Sequence, residues 1–221
     1  MKHFRQWAQY IIGLFVMSLG IVLIKQAGTG VSPISSIPSA LTNVTGLSFG
    51  KTTIIFQTFC FVMILIIGRK IDLKTILIMP ISVVFGYMID MYMLFIAFDG
   101  FPKWACYIFC ILGVAATALG IVCVVGTRLM LPSPDALMRT ISQVSGQPLS
   151  RIKIAGDATW VVISVALELI FFRKVMSVWI GTVISVILTG RLVGIFGKYL
   201  KILDLSEKEK TQTRKDNGSN S

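Results

Sequence analysis

The chain has 221 residues, of which 55% are hydrophobic and only 14% charged, with a mean hydropathy of +0.81. A soluble domain carries about 25% charged residues, so this composition excludes an ordinary soluble fold and points to an integral membrane protein. The net charge of +11 does not indicate nucleic-acid binding, because the Lys and Arg fall between apolar spans and in the tail, with no basic face interleaved with aromatics.

A bilayer-crossing helix needs roughly 20 apolar residues. Six segments qualify in chain order: about 6–25, 52–68, 73–97, 104–126, 154–172 and 177–200. Lys2 and Arg5 precede the first, but the apolar run continues to about Ile24 without a small-residue cleavage site, so it reads as a retained span. Past Leu203 the polar run DLSEKEKTQTRKDNGSNS is expected to be a disordered tail. With the N-terminus in the cytoplasm, 15 cations fall inside and 5 outside, with Arg191 left within a span. That bias predicts cytoplasmic N- and C-termini in a bacterial cytoplasmic membrane.

Between the first two spans lies the uncharged, helix-breaking stretch GTGVSPISSIPSALTNVTG, residues 28–46, and after the fourth comes GTRLMLPSPDALMRTISQVSG, residues 126–146. With a few short gaps, Gly28-Thr29 matches Gly126-Thr127, Ser32-Pro33 matches Ser133-Pro134, and Val44-Thr45-Gly46 matches Val144-Ser145-Gly146. Each stretch predicts a short helix. Ser32 and Ser133 suit the N-cap, and Pro33 and Pro134 the first helical position. Gly46 and Gly146 suit the C-terminal stop. Pro38 should kink or shorten the first helix. At about 12 residues and roughly 18 Å, such helices are too short to cross.

The expected architecture is therefore all-α, with six transmembrane helices as two inverted three-helix repeats. The first repeat covers 1–100, the second 101–203 and the tail 204–221. Each repeat carries a short helix after its first span, either re-entrant beside a pathway or lying at the interface. Inverted repeats with broken helices recur in transporters.

Ionisable residues inside spans are costly and often functional. Asp157 and Arg191 sit at comparable depth and are expected to pair, while Asp90 and Glu168 share the opposite depth and could hold a cation or a proton. Asp135 suits the first turn of the second short helix, with Arg139 four residues on as a partner. The residues expected around a pathway are Gly30, Ser32, Pro33, Asp90, Pro134, Asp135, Arg139, Asp157 and Arg191.

Other patterns fail as sites. TGLSFGKT, 45–52, puts its Gly one place late for a phosphate loop. Gly190 and Gly194 form a GxxxG match that reads as helix packing, as does the small face Gly113, Ala116 and Gly120. Cys60, Cys106, Cys110 and Cys123 lie in apolar runs, and His3 is the sole His. No metal, cofactor or enzyme activity is expected.

The stretch GTGVSPISSIPSALTNVTGLSFGKTT, the span ending GYMID (86–90), LPSPDALMRTISQVSG with RIK, and GTVISVILTGRLVGIF (181–196) together resemble the YczE/YyaS/YitT group of bacterial integral membrane proteins. That resemblance implies a six-span membrane protein, with Asp90 and Pro134-Asp135 at the family's acidic positions. Ser32-Pro33-Ile34-Ser35 lacks the acid that members carry in the first repeat. The expected function is a small-solute permease or exporter without an ATP site. The alternative is a non-transporting membrane subunit of another complex. Expected partners are membrane lipid, an unknown small solute, and a second copy or a partner membrane protein.

Overall fold

Long apolar runs become helices wherever the Pro- and Gly-containing breaks leave room for them. The computed structural model describes residues 2–69, 73–96, 102–127 and 129–199. Among these are eight helices and no strand: α1 (Lys2–Gln26), α2 (Pro33–Thr45), α3 (Phe49–Gly68), α4 (Leu73–Phe95), α5 (Lys103–Gly126), α6 (Ser133–Ser145), α7 (Leu149–Phe172) and α8 (Ile180–Tyr199). Five of them, α1, α3, α4, α5 and α7, are long and apolar enough to cross a membrane. In α8 the apolar stretch Ile184–Phe196 is shorter. Exposed apolar side chains such as Phe4, Leu94, Trp104 and Ile170 fit a lipid-facing surface, and the chain is a multi-pass membrane protein. The expected tail and the 100/101 repeat boundary lie outside the described residues.

The two short helices are present, each 13 residues long. Gly46 ends α2 at φ 70° and Gly146 ends α6 at φ 67°, both left-handed, the conformation glycine adopts without steric cost. A Cβ at either would meet nothing within 4 Å. Gly46→Ala and Gly146→Ala should therefore each cost about 1 kcal/mol through backbone strain alone, read as similar small losses in thermal stability in detergent. Pro38 does not shorten α2, which runs through it with the ring buried. In the second turn of a helix that packs on α3 and α7, its missing N–H removes a single backbone bond.

The equivalence between the two stretches is simpler than the gapped matching suggests. Gln26 and Gly126 end their helices, Pro33 and Ser133 begin the short ones, Thr45 and Ser145 end them, and Phe49 and Leu149 begin the next. The register is one constant shift without gaps. Ser32 thus stands opposite Pro132, so Ser133 is the first residue of α6 rather than its N-cap.

The same shift runs through the packing. α1 lies antiparallel along α5, its early residues against the late residues of its partner. A Cβ on Gly13 would come 3.0 Å from Cys123 Cβ and one on Gly120 2.7 Å from Gly13 O, while one on Gly20 would come 2.6 Å from Gly113 O and one on Gly113 2.8 Å from Gly20 O. Gly13 with Gly120 and Gly20 with Gly113 are the same contact seen from the two helices. Packing of α2 on α7 mirrors that of α3 on α6, and α1 on α4 mirrors α5 on α8. Between the short helices the core holds Ile37 and Leu137, with Phe56 edge-on to Trp160 at 5.2 Å between centroids. The largest pairing without a mirror is that of α3 with α4. α3 packs tightly on α4, with Gly50 against Gly86, but α7 and α8 have no comparable packing among the described residues.

Candidate functional site

α7 ends at Phe172 and α8 begins at Ile180, so the connecting chain is non-helical beside a spanning bundle. Backbone in that position must find internal partners, and Glu168 supplies them from the last turn of α7. It is fully buried. Its Oε2 accepts from the backbone N–H of Met176 at 2.7 Å and of Ser177 at 2.9 Å. Its Oε1 accepts from Asn43 Nδ2 at 2.9 Å and from Ser177 Oγ at 2.5 Å.

The network continues toward α1. Ser177 Oγ lies 2.7 Å from Ser39 Oγ, and Lys25 Nζ donates to Ser39 Oγ at 2.6 Å. A hydroxyl has one proton. Ser39 accepts from Lys25, and the single Ser177 proton is shared between Ser39 Oγ and Glu168 Oε1. A continuous row of hydrogen bonds thus links an ammonium to a carboxylate through two hydroxyls. Lys25 also lies 5.4 Å from the Phe49 ring centroid, within cation–π range. Such a row sets opposite charges at its two ends, with buried hydroxyls between them.

Gly30, Ser32 and Pro33 stand at the foot of this row. Val31 N–H donates to Ser177 O at 3.0 Å, and Gly181 N–H to Thr29 O at 2.8 Å. Gly30 has φ 117°, and a Cβ there would come 2.7 Å from Thr182 Oγ1, so only glycine fits. Ser32 is the N-cap of α2, with its hydroxyl donating to Ser35 Oγ at 3.0 Å, and Pro33 is buried at the first helical position.

A second, charged cluster lies at the other end of α7, roughly 22 Å away by helical rise from Lys153 to Glu168. Lys153 Nζ is 2.5 Å from Asp135 Oδ1 in the first turn of α6. Asp157, one turn beyond Lys153, lies within the electrostatic reach of both. Pro134 is buried beside them in α6. Two expected pairings are corrected. Asp135 bonds Lys153, not Arg139, which is exposed. Asp157 makes no ion pair with Arg191, because α8 packs on α5 and leaves Arg191 on an exposed face. Equal depth does not bring two residues together when their helices do not pack.

Asp90 stands apart from both clusters. Its Oδ2 accepts from Ser48 Oγ and its Oδ1 from Gly50 N–H, each at 2.6 Å. It caps α3 from a neighbouring helix, where a carboxylate also suits the positive helix end. Asp90→Ala should lower stability by about 1–2 kcal/mol, while Asp90→Asn keeps one acceptor and loses less; thermal unfolding in detergent separates them.

The members that sequence reasoning left out are Lys25, Ser39, Asn43 and Ser177 around Glu168, and Lys153 beside Asp135. The available signal was Glu168 itself, the one acid in the apolar second half of its span. Among the described residues no group of three or more His, Cys, Asp or Glu could hold a metal.

Residues 4–198 match the model of a family described as "Family of unknown function (DUF6198)". No curated protein matches the chain, and no solved structure does.

Proposed function

The chain belongs to this family of unknown function, and from its own geometry we propose that it is a small-solute permease of the bacterial cytoplasmic membrane. In this reading α1, α3, α4, α5, α7 and α8 cross the bilayer as two inverted three-helix repeats, and the short helices α2 and α6 flank the pathway. Both termini lie in the cytoplasm. The likeness to the YczE/YyaS/YitT group accords with six crossings. The observation that carries the reading is the reciprocal glycine contact, Gly13 with Gly120 and Gly20 with Gly113, in an antiparallel α1–α5 pair. A two-fold axis in the membrane plane produces that reciprocity, and inverted repeats with short helices are a recurring transporter design. The Lys25–Glu168 row and the Asp135–Lys153–Asp157 cluster then stand at opposite mouths.

Single cysteines at Thr45 and Ser145, the exposed last residues of α2 and α6, in a background without the four native cysteines, test the topology. Impermeant thiol reagents are expected to reach Thr45→Cys from outside the cell and Ser145→Cys from the cytoplasmic face. Labelling of both from one face overturns the inversion. Comparing small metabolites inside and outside deletion and overexpressing cells tests transport, with an unchanged distribution counting against it.

One observation favours a second reading as a membrane subunit. Gly190 and Gly194 on α8 meet nothing within 4 Å, and α8, which packs on α5, has no comparable packing from α7 among the described residues. A stoichiometric partner retained through purification, with no solute redistribution, selects that reading.

A further inference from the structure

The two halves share their helices but not their closure. α7 has 24 residues where α3 has 20, about one turn more, so the register between the halves steps by that turn. Two landmarks fix it beyond the step. Arg69 ends α3 and Arg173 ends α7, both left-handed, at φ 49° and 54°. Phe95 ends α4 and Tyr199 ends α8. Both landmarks place Gly86 opposite Gly190 and Asp90 opposite Gly194. The register through the short helices places Gly50 opposite Ser150 and Ile54 opposite Ile154.

In the first half these positions are shut together. A Cβ on Gly86 would come 2.8 Å from Gly50 O, and one on Gly50 2.5 Å from Asp90 Cγ. Asp90 fastens the contact by accepting from Ser48 Oγ and Gly50 N–H. In the second half the matching positions stand open. Ser150, Ile154, Gly190 and Gly194 are all exposed, and the two glycines meet nothing within 4 Å. The fastening acid is replaced by Gly194, and Pro148 stands where Ser48 does. A glycine face lets a second helix approach backbone to backbone, and on α8 no described residue uses it.

We propose that α7 and α8 form a gate that stands open in this structure and closes by bringing Ser150 and Ile154 onto Gly190 and Gly194, as α3 now meets α4, while the α3–α4 contact parts. This deepens the permease reading and rests on it for its purpose: one repeat moving against the other opens a pathway to each face in turn. On the topology proposed above, the shut contact lies at the outer face and the open one at the cytoplasmic face. Only the shut contact has an acid to fasten it, which favours the state seen here.

The test uses purified full-length protein without its four native cysteines, carrying Ser150→Cys with Gly194→Cys. An oxidant is added, and mass spectrometry of its peptides reads the disulfide. A disulfide within one chain is expected, forming at least about threefold faster when Asp90→Asn weakens the rival contact and shifts the population. Ser150→Cys with Arg191→Cys is the control and is expected to stay reduced in both backgrounds, because Tyr87, the counterpart of Arg191, is exposed rather than turned to α3. Ile154→Cys with Gly190→Cys matches the Ile54–Gly86 contact and replaces the first pair if that protein does not fold. The gate is overturned if no disulfide forms within a chain, if the control pair links equally, if Asp90→Asn leaves the rate unchanged, or if the bond joins two chains instead. No solute enters this measurement. A disulfide without solute redistribution in cells upholds the gate and removes the permease, and redistribution without a disulfide does the reverse.

Discussion

Glu168→Leu is expected to yield little folded protein. The carboxylate accepts four hydrogen bonds, two of them from backbone N–H groups of the chain between α7 and α8. Leucine matches the aliphatic bulk but strands the Met176 and Ser177 N–H groups and the Asn43 amide. Each buried unpaired group costs about 1–3 kcal/mol, so the sum is roughly 4 kcal/mol or more, a large share of the total stability of a domain. Glu168→Gln keeps one oxygen and is expected to fall between leucine and wild type. Lys25→Met leaves the carboxylate with its four donors and removes only the far end of the row. If the row acts as one unit, the Lys25→Met/Glu168→Gln double variant loses at least about 1 kcal/mol less than the two single losses added together. Thermal unfolding of the four proteins, with recovery by size-exclusion chromatography, gives the comparison. Strict additivity would break the link between the ammonium and the carboxylate. A Glu168→Leu protein as stable as the wild type would remove the claim that this side chain holds the non-helical segment in place.

Much of the architecture was legible because lipid makes one demand that sequence displays directly: long apolar runs with internally satisfied backbone. The positions of five long apolar helices follow from that, and the short helices follow from Pro33, Gly46 and Gly146, whose backbone preferences are local. Side-chain partnerships were less legible. Depth can be counted along a helix, but which way a residue points depends on which helix lies beside it. Asp157 and Arg191 share a depth, yet their helices scarcely touch. Asp135 has a local partner four residues on in Arg139 and a tertiary one in Lys153, and the tertiary one wins. Lys25 counts as a boundary charge in a hydropathy reading. Only the approach of α2 and of the chain after α7 turns it into one end of a buried row.

The glycines on the long helices divide sharply, and they give the second large effect. Gly13→Leu, Gly20→Leu, Gly113→Leu and Gly120→Leu are each expected to destabilise the protein by about 3 kcal/mol or more, at the upper end of overpacking costs. Their missing side chains let α1 and α5 touch backbone to backbone. A Cβ at Gly20 would sit 2.5 Å from Thr117 N, and one at Gly120 2.6 Å from Met17 N, and backbone cannot rotate aside as a side chain can. Leucine raises intrinsic helix propensity over glycine by roughly 0.8 kcal/mol, so any loss comes from packing and not from a weaker helix. Gly190→Leu and Gly194→Leu carry the same propensity gain with nothing within 4 Å to meet, and should leave the unfolding temperature unchanged or slightly raised. The GxxxG spacing alone makes the opposite forecast, that α8 holds the sensitive pair. Reciprocity sharpens the test. If a two-fold axis relates the halves, Gly13→Leu and Gly113→Leu should cost similar amounts, and Gly20→Leu should match Gly120→Leu. Unequal losses within these pairs would argue for a lone antiparallel contact rather than a repeated one. A Gly190→Leu protein that is stable alone but no longer copurifies with a partner would show that the open face of α8 is where another chain sits.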